Sequence, residues 1–326
     1  MVTVEKIRAG EVDALQPILH ENPYKKYQYI HVIKARAIEA YYVAELIRLA
    51  TEERSAVFVA HGPATPEGLL AVEFLPWDSE MLGVTCGRIF ALIVPLDYEK
   101  GYATAAALAT VAQQWARDAG FQLLDVRCDA RDLPAAHALE ATGFRLMEAS
   151  LAFSYTTEML PRGGEVEIVS DAEIRLATAA DEPFMRRAAA MFRSDRFHRD
   201  PRIRKEAADR LYEEWIVNSG LQKRGRLYIA EVRGRAIGLE SLVTDDAFNQ
   251  FSDVKVGSWE ITGILPHARA SDVWKKMSWV ITKDAIQLGL TVGEARTQLY
   301  NFTLFNLMRQ PPKYARGELT FHRWLD

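Results

Sequence analysis

The sequence predicts an α+β chain of two tandem domains, each a mixed, mostly antiparallel sheet flanked by helices. Three observations carry this. The 326 residues are 49 % hydrophobic, enough for two domains of ordinary size that each bury a core. The order of elements repeats along the chain at a spacing of roughly 165 residues. Within each repeat, strands and helices alternate in a mixed order that suits α+β layers and not a doubly wound nucleotide fold.

In the first repeat, helix-period text at 11–20 and 32–54 precedes strands at 56–60, 69–75 and 87–95. Thr104 to Ala119 then places Leu108, Val111, Ala112 and Trp115 on one helix face, and Gly120 stops the helix. A strand at 123–128, a short helix at 134–142 and a closing strand pair from Phe144 follow. The second repeat runs through a strand at 174–178, a helix from Asp181, a second helix ending near 218–220, and strands at 226–232, 236–243 and 255–266. A helix from Ser271 to Leu288 ends at Gly289. Pro161-Arg162-Gly163-Gly164 reads as a linker. The domains are therefore expected at 1–160 and 173–326, with a linker over 161–172.

Residues 1–165 hold 15 Lys and Arg against 22 Asp and Glu, and residues 166–326 hold 25 against 22. A surplus of three positive charges is weak beside that of dedicated nucleic-acid binders. Cys86 and Cys128 are too few for a disulfide framework or a metal cluster, so reduced thiols and no metal are expected. The first residues lack an apolar signal core, and no window approaches a membrane-spanning run. A cytoplasmic location with no membrane partner is the expectation.

Tyr98-Glu99-Lys100-Gly101-Tyr102-Ala103 joins a strand to a long helix, where exposed amides and the positive helix end suit a phosphate. The turn is similar to the R/Q-x-x-G-x-G/A motif of the GNAT acyltransferase superfamily, with the leading Arg or Gln replaced by Tyr98. The segments 75–89, 132–144, 194–203, 211–219 and 321–325 resemble, in order, those of dTDP-fucosamine acetyltransferase-like proteins. In the second repeat the corresponding turn runs from Pro266 to Trp274. Arg269 is kept there, while Ala270, Asp272 and Trp274 stand at the glycine positions. The position of that family's acid tyrosine falls on Met308, and on Leu139 in the first repeat.

The resemblance implies transfer of an acyl group, from acetyl-CoA or another acyl-CoA, to the amine of a small metabolite such as an amino-sugar nucleotide. Lys100, Gly101, Tyr102, Ala103, Thr104, Arg269, Ser271 and Asn301 are the expected donor contacts. An ammonium must lose a proton before it attacks, and Glu260 stands where such enzymes often carry a base. Tyr300 and Tyr314 are candidates to return a proton to the leaving group. Trp77, Asp78, Ser79, Arg193, Arg196, Phe197 and His198 are expected to line an acceptor site between the domains, the arginines being suited to phosphate.

Two other readings remain open. The segment 193–205 carries six Arg or Lys in thirteen residues, which would let the phosphates of an aminoacyl-tRNA donor replace CoA. Alternatively, the altered turns leave a non-catalytic protein that binds a ligand.

Overall fold

The computed structural model describes residues 2–63, 65–156, 170–221, 225–269, 272–307 and 313–326. The chain divides into two compact units. The first comprises Met1–Leu151, Gln298–Asn301 and Ala315–Asp326; the second comprises Ala152–Thr297 and Phe302–Tyr314. The chain's last strand thus belongs to the unit built by its first half. The segment read as a linker, 161–172, is described only from residue 170.

The first half forms β1 (Thr3–Ile7), α1 (Gln16–Glu21), α2 (Ala35–Thr51), β2 (Ala56–His61), β3 (Pro66–Phe74), α3 (Pro76–Leu82), β4 (Cys86–Ile93), α4 (Tyr98–Asp118), β5 (Leu123–Asp129), α5 (Leu133–Ala141) and β6 (Arg145–Thr156). The second half follows with β7 (Glu173–Leu176), α6 (Glu182–Ala189), α7 (Arg196–Arg199), α8 (Lys205–Leu221), β8 (Arg226–Val232) and β9 (Arg235–Thr244). It ends with α9 (Asp246–Asn249), β10 (Val256–Trp259), β11 (Thr262–Ile264), α10 (Val273–Gln287), β12 (Val292–Gln298), α11 (Phe302–Leu307) and β13 (Tyr314–Trp324).

The first unit's strands pair in the order β1-β2-β3-β4-β5-β13, antiparallel except for the parallel pair β4 and β5. In the second unit the order is β7-β8-β9-β10-β12, again antiparallel except for one parallel pair, β10 and β12. β11 lies antiparallel against β9. This is the expected mixed, mostly antiparallel arrangement, found twice.

α4 forms because Thr104, Ala105, Leu108, Ala109, Ala112 and Ala116 recur every three or four residues and bury one face. That face covers Phe58, Leu70, Val72, Ile89, Leu124, Val126 and Phe321 of the sheet. Each such side chain, fully buried, contributes about 1.5–3 kcal/mol. Gly120, at φ 78°, turns the chain out of the helix, and the Phe121 amide bonds the Ala116 carbonyl at 2.9 Å. α10 closes identically, with Gly289 at φ 76° and the Leu290 amide on the Ala285 carbonyl at 3.0 Å. It packs Val273, Met277, Ile281 and Ala285 on Tyr228, Ala230, Ile237 and Leu242. A second apolar cluster, formed by α6 and α8 with Leu227, Ile229, Leu239 and Ile261, completes the second unit's core.

The closing strand pair expected from Phe144 is the single strand β6, and two further differences bear on the site. α4 begins at Tyr98 and not at Thr104, because Asp97 caps it through the Lys100 amide at 2.9 Å. The single strand expected over 255–266 is two strands, β10 and β11, separated at Glu260-Ile261.

Candidate functional site

In each unit the parallel pair comes apart after four residues. β4 and β5 pair from Cys86 and Leu123 to Ile89 and Val126, after which β4 runs on to Ile93 and β5 to Asp129. β10 and β12 pair from Val256 and Val292 to Trp259 and Ala295; β12 then continues to Gln298 while the chain after Trp259 stays on β9 alone as β11. Phe90 marks the departure in the first unit, since Val72 pairs with Ile89 and Ala71 with Ala91. Parting strands leave main-chain amides and carbonyls facing a gap. Such a gap suits an extended ligand that carries amide groups of its own.

Beside the second unit's opening lies a carboxyl that the sequence reading passed over. Glu240, on β9, is only 3 % exposed and pairs in register with Thr262 on β11. The Thr262 hydroxyl donates to its Oε1 at 3.1 Å, and the Ser278 hydroxyl, from α10, reaches Oε2 at 3.5 Å. Burial pushes its pKa up to about 8, against the two hydroxyls, which favour the ionised form. The signal in the sequence was a lone acid in the middle of the apolar strand 236–243.

The start of α10 is cationic. His267 and Arg269 are exposed, and Lys275 and Lys276 follow in the helix's first turn. Asp272, the cap residue, gives its carboxylate to none of the helix amides and pairs with Lys275 instead. Arg269 Nε donates to the Ile264 carbonyl at 3.0 Å, which holds the guanidinium at the end of β11. Helix amides and positive side chains together suit an anion. Ser271, an expected contact, lies outside the described residues, as does Met308.

The start of α4 has the opposite character. Asp97 occupies the Lys100 amide, the Gly101 amide bonds the Asp97 carbonyl at 2.8 Å, and Glu99 adds a second acid in the first turn. Lys100 Nζ pairs with Glu67 at 2.8 Å. Lys100, Gly101, Tyr102, Ala103 and Thr104 therefore stand in the helix and not in a loop, with Thr104 buried beneath it. Tyr98, at the position of the GNAT motif's leading Arg or Gln, stacks on Tyr102 and bonds His137 Nδ1 at 2.9 Å.

The expected acceptor residues are largely engaged within their own units. Trp77, Asp78 and Ser79 lie in α3. There Ser79 Oγ donates to the Leu75 carbonyl at 2.6 Å and accepts from the Cys86 amide at 2.8 Å, tying α3 to β4. In the second unit, Arg193 clamps Asp209 at 2.8 and 3.2 Å. The His198 side chain is covered, with Nδ1 on Asp195 and Nε2 3.2 Å from Asp209. Arg196 covers the ring of buried Phe197 at 4.3 Å. Glu260 is exposed on the link between β10 and β11; Tyr300 and Asn301 form the turn after β12, and Tyr314 begins β13.

Three of the first unit's buried acids are held by arginines. Arg88 meets Asp125 at 3.2 Å, Arg131 meets Asp129 at 2.8 Å, and Arg316 reaches Glu318 Oε1 at 2.6 Å. Burial raises Asp132, the cap of α5, to about 6. The Cys128 thiol is pushed up by burial too, so it stays protonated. Among the described residues no group of His, Cys, Asp and Glu is arranged to hold a metal, and no helix is long and apolar enough to cross a membrane.

Comparison with solved structures places this architecture. A GCN5-related N-acetyltransferase from Sphaerobacter thermophilus is similar at a TM-score of 0.64 and 12 % identity, over 99 % of this chain and 96 % of that one. A tandem GNAT protein from the clavulanic acid biosynthesis pathway matches at 0.56 and 12 % identity, over 100 % and 99 %. A glucosamine N-acetyltransferase region of a fungal multi-domain GH3 β-N-acetylglucosaminidase matches at 0.58 and 12 % identity, over 99 % of this chain and 38 % of that one. No family model matches the sequence, and no curated protein is similar to it. The chain has the GNAT fold in tandem.

Proposed function

We propose that the protein is an N-acyltransferase that takes its acyl group from a CoA thioester, and that the second unit holds the donor. The observation that carries this is the parting of β10 from β12 beside a cationic helix start. The pantetheine arm of CoA is an extended chain with two amides, matched to such an edge. Its pyrophosphate is matched to the amides of α10 and to Arg269. At the first unit's α4 the same phosphate would meet the carboxylates of Asp97 and Glu99.

The acceptor is a primary amine on a small metabolite. The likeness of segments such as 75–89 and 194–203 to dTDP-fucosamine acetyltransferase-like proteins supports an amino-sugar nucleotide. An aminoacyl-tRNA donor has less support, since Arg193 in the basic segment is committed to Asp209 and Arg199 Nε to the Ser194 carbonyl.

Calorimetric titration of acetyl-CoA tests the assignment with two charge reversals. Arg269→Glu should abolish binding, while Tyr98→Glu, at an exposed position, should leave it intact. The reverse result moves the donor to Lys100–Thr104 in the first unit, and no binding by the wild type removes CoA as the donor.

A further inference from the structure

The two units carry the same local arrangement with opposite chemistry at one place. A Cβ on Gly68, in β3, would lie 2.9 Å from the Ile93 carbonyl and 3.4 Å from Leu108 of α4. A Cβ on Gly238, in β9, would lie 3.2 Å from the Gly263 carbonyl and 3.4 Å from Met277 of α10. These glycines occupy equivalent positions, each beneath its unit's long helix and beside the next strand. Two residues further on the same face, Leu70 pairs with Leu92 in the first unit, and Glu240 pairs with Thr262 in the second. Leu70, Leu108 and Ala109 are fully buried. The fold is therefore satisfied by an all-apolar contact here, and the second unit replaces it with a carboxyl and the hydroxyls of Thr262 and Ser278.

A buried carboxyl with no charged partner among the described residues is costly, and the first unit shows that packing does not require one. Resting on the reading of the second unit as the transferring one, we infer that Glu240 is the proton acceptor of the reaction, reached from the opening through the Thr262 hydroxyl. β11, which carries Thr262, is the segment that follows the parting of β10 from β12. The step balances without a further reactant. The acceptor ammonium gives one proton to Thr262 Oγ1 as that hydroxyl passes its own to Glu240 Oε1. The freed amine forms the C–N bond, the C–S bond breaks, and the second proton that the nitrogen sheds passes to the departing sulfur. Glu240 must begin ionised, so its raised pKa places the rise in rate near pH 8. The packed elements carry Tyr228 on β8, in register with Glu240, and Asp284 on α10, which accepts from the Tyr228 hydroxyl at 2.8 Å. Burial keeps Tyr228 protonated well above that range.

The test uses the full chain with acetyl-CoA and a panel of primary amines, including amino sugars, reading thiol release from pH 6 to 9. Glu240→Gln should bind acetyl-CoA as the wild type does, lose about a hundredfold or more in kcat, and lose the rise near pH 8. Thr262→Val should lower kcat with Glu240 intact. Glu240→Leu, the residue the first unit uses, should stay folded and melt no lower than the wild type while being equally inactive. Retained turnover and pH profile in Glu240→Gln overturn the inference, and so does a Glu240→Leu protein that unfolds, because the carboxyl would then be structural. If the wild type binds no acetyl-CoA, or releases thiol with no amine, the transferase reading itself fails, and the inference with it.

Discussion

Gly101 sits so close to the Pro95 carbonyl that a Cβ there would come within 2.3 Å of the oxygen and 2.9 Å of Pro134. The glycine that the sequence offered as a phosphate contact is thus demanded by packing between the end of β4, the start of α4 and α5. Gly101→Ala should destabilise the protein by about 1–3 kcal/mol through overpacking, whether or not a nucleotide ligand is present. Thermal melts with and without acetyl-CoA check this. An unchanged melting temperature would return Gly101 to the ligand.

Glu240 should make stability depend on pH. Its folded pKa, about 8, lies above the ordinary 4.5, so the folded state keeps a proton that the unfolded state loses. Stability from this group therefore falls as pH rises from about 4.5 to about 8 and is level above that, a change of a few kcal/mol. Glu240→Leu should flatten that part of the curve. Urea titrations at pH 5 and pH 8 measure the difference.

Asp181 should act in the opposite sense. Its hydrogen bonds from Arg175 lower its pKa to about 2, with the Thr178 amide and hydroxyl adding to them against the effect of burial. The stability it contributes is present above the ordinary value of 3.8 and is lost as pH falls through about 2. Asp181→Ala removes this cap ahead of α6 and should cost about 1–2 kcal/mol at pH 7, measured by urea unfolding.

Arg269→Ala, milder than charge reversal, should weaken acetyl-CoA binding by about 10-fold to 100-fold, as expected for one charge-assisted phosphate contact. Wild-type affinity should fall with added salt, and the variant's should fall less steeply. Parallel salt dependences would remove Arg269 from the phosphate site.

The fold was legible because its signals are local. Leu108, Ala112 and Gly120 announce α4, and the repeated order of strands and helices announces two domains. The site was less so, for three physical reasons. Glycine at 101 has two uses, close packing and close approach of a ligand, and spacing cannot tell them apart. Glu260 and Glu240 both lie in strand text, and only the structure shows that the first is exposed and the second buried. Nor do Glu260 and Ile261 carry the Gly or Pro that would have signalled the break between β10 and β11. The aspartates facing Arg193 and His198 come from α8 and from the cap of α7, so a run of basic text became an ion-paired network.

The pairing of β13 with β5, from Glu318 opposite Asp129 to Trp324 opposite Leu123, bears on how the molecule is made. A ribosome delivers residues in order, and the strand that completes the first unit's sheet emerges after nearly all of the second unit. Until then the outer edge of β5 waits unpaired, so the first unit cannot finish folding during translation ahead of the second. A gene fragment stopping near residue 160 would encode a sheet with an open edge and a tendency to aggregate. A fragment beginning near residue 173 would carry a strand belonging to a unit it lacks.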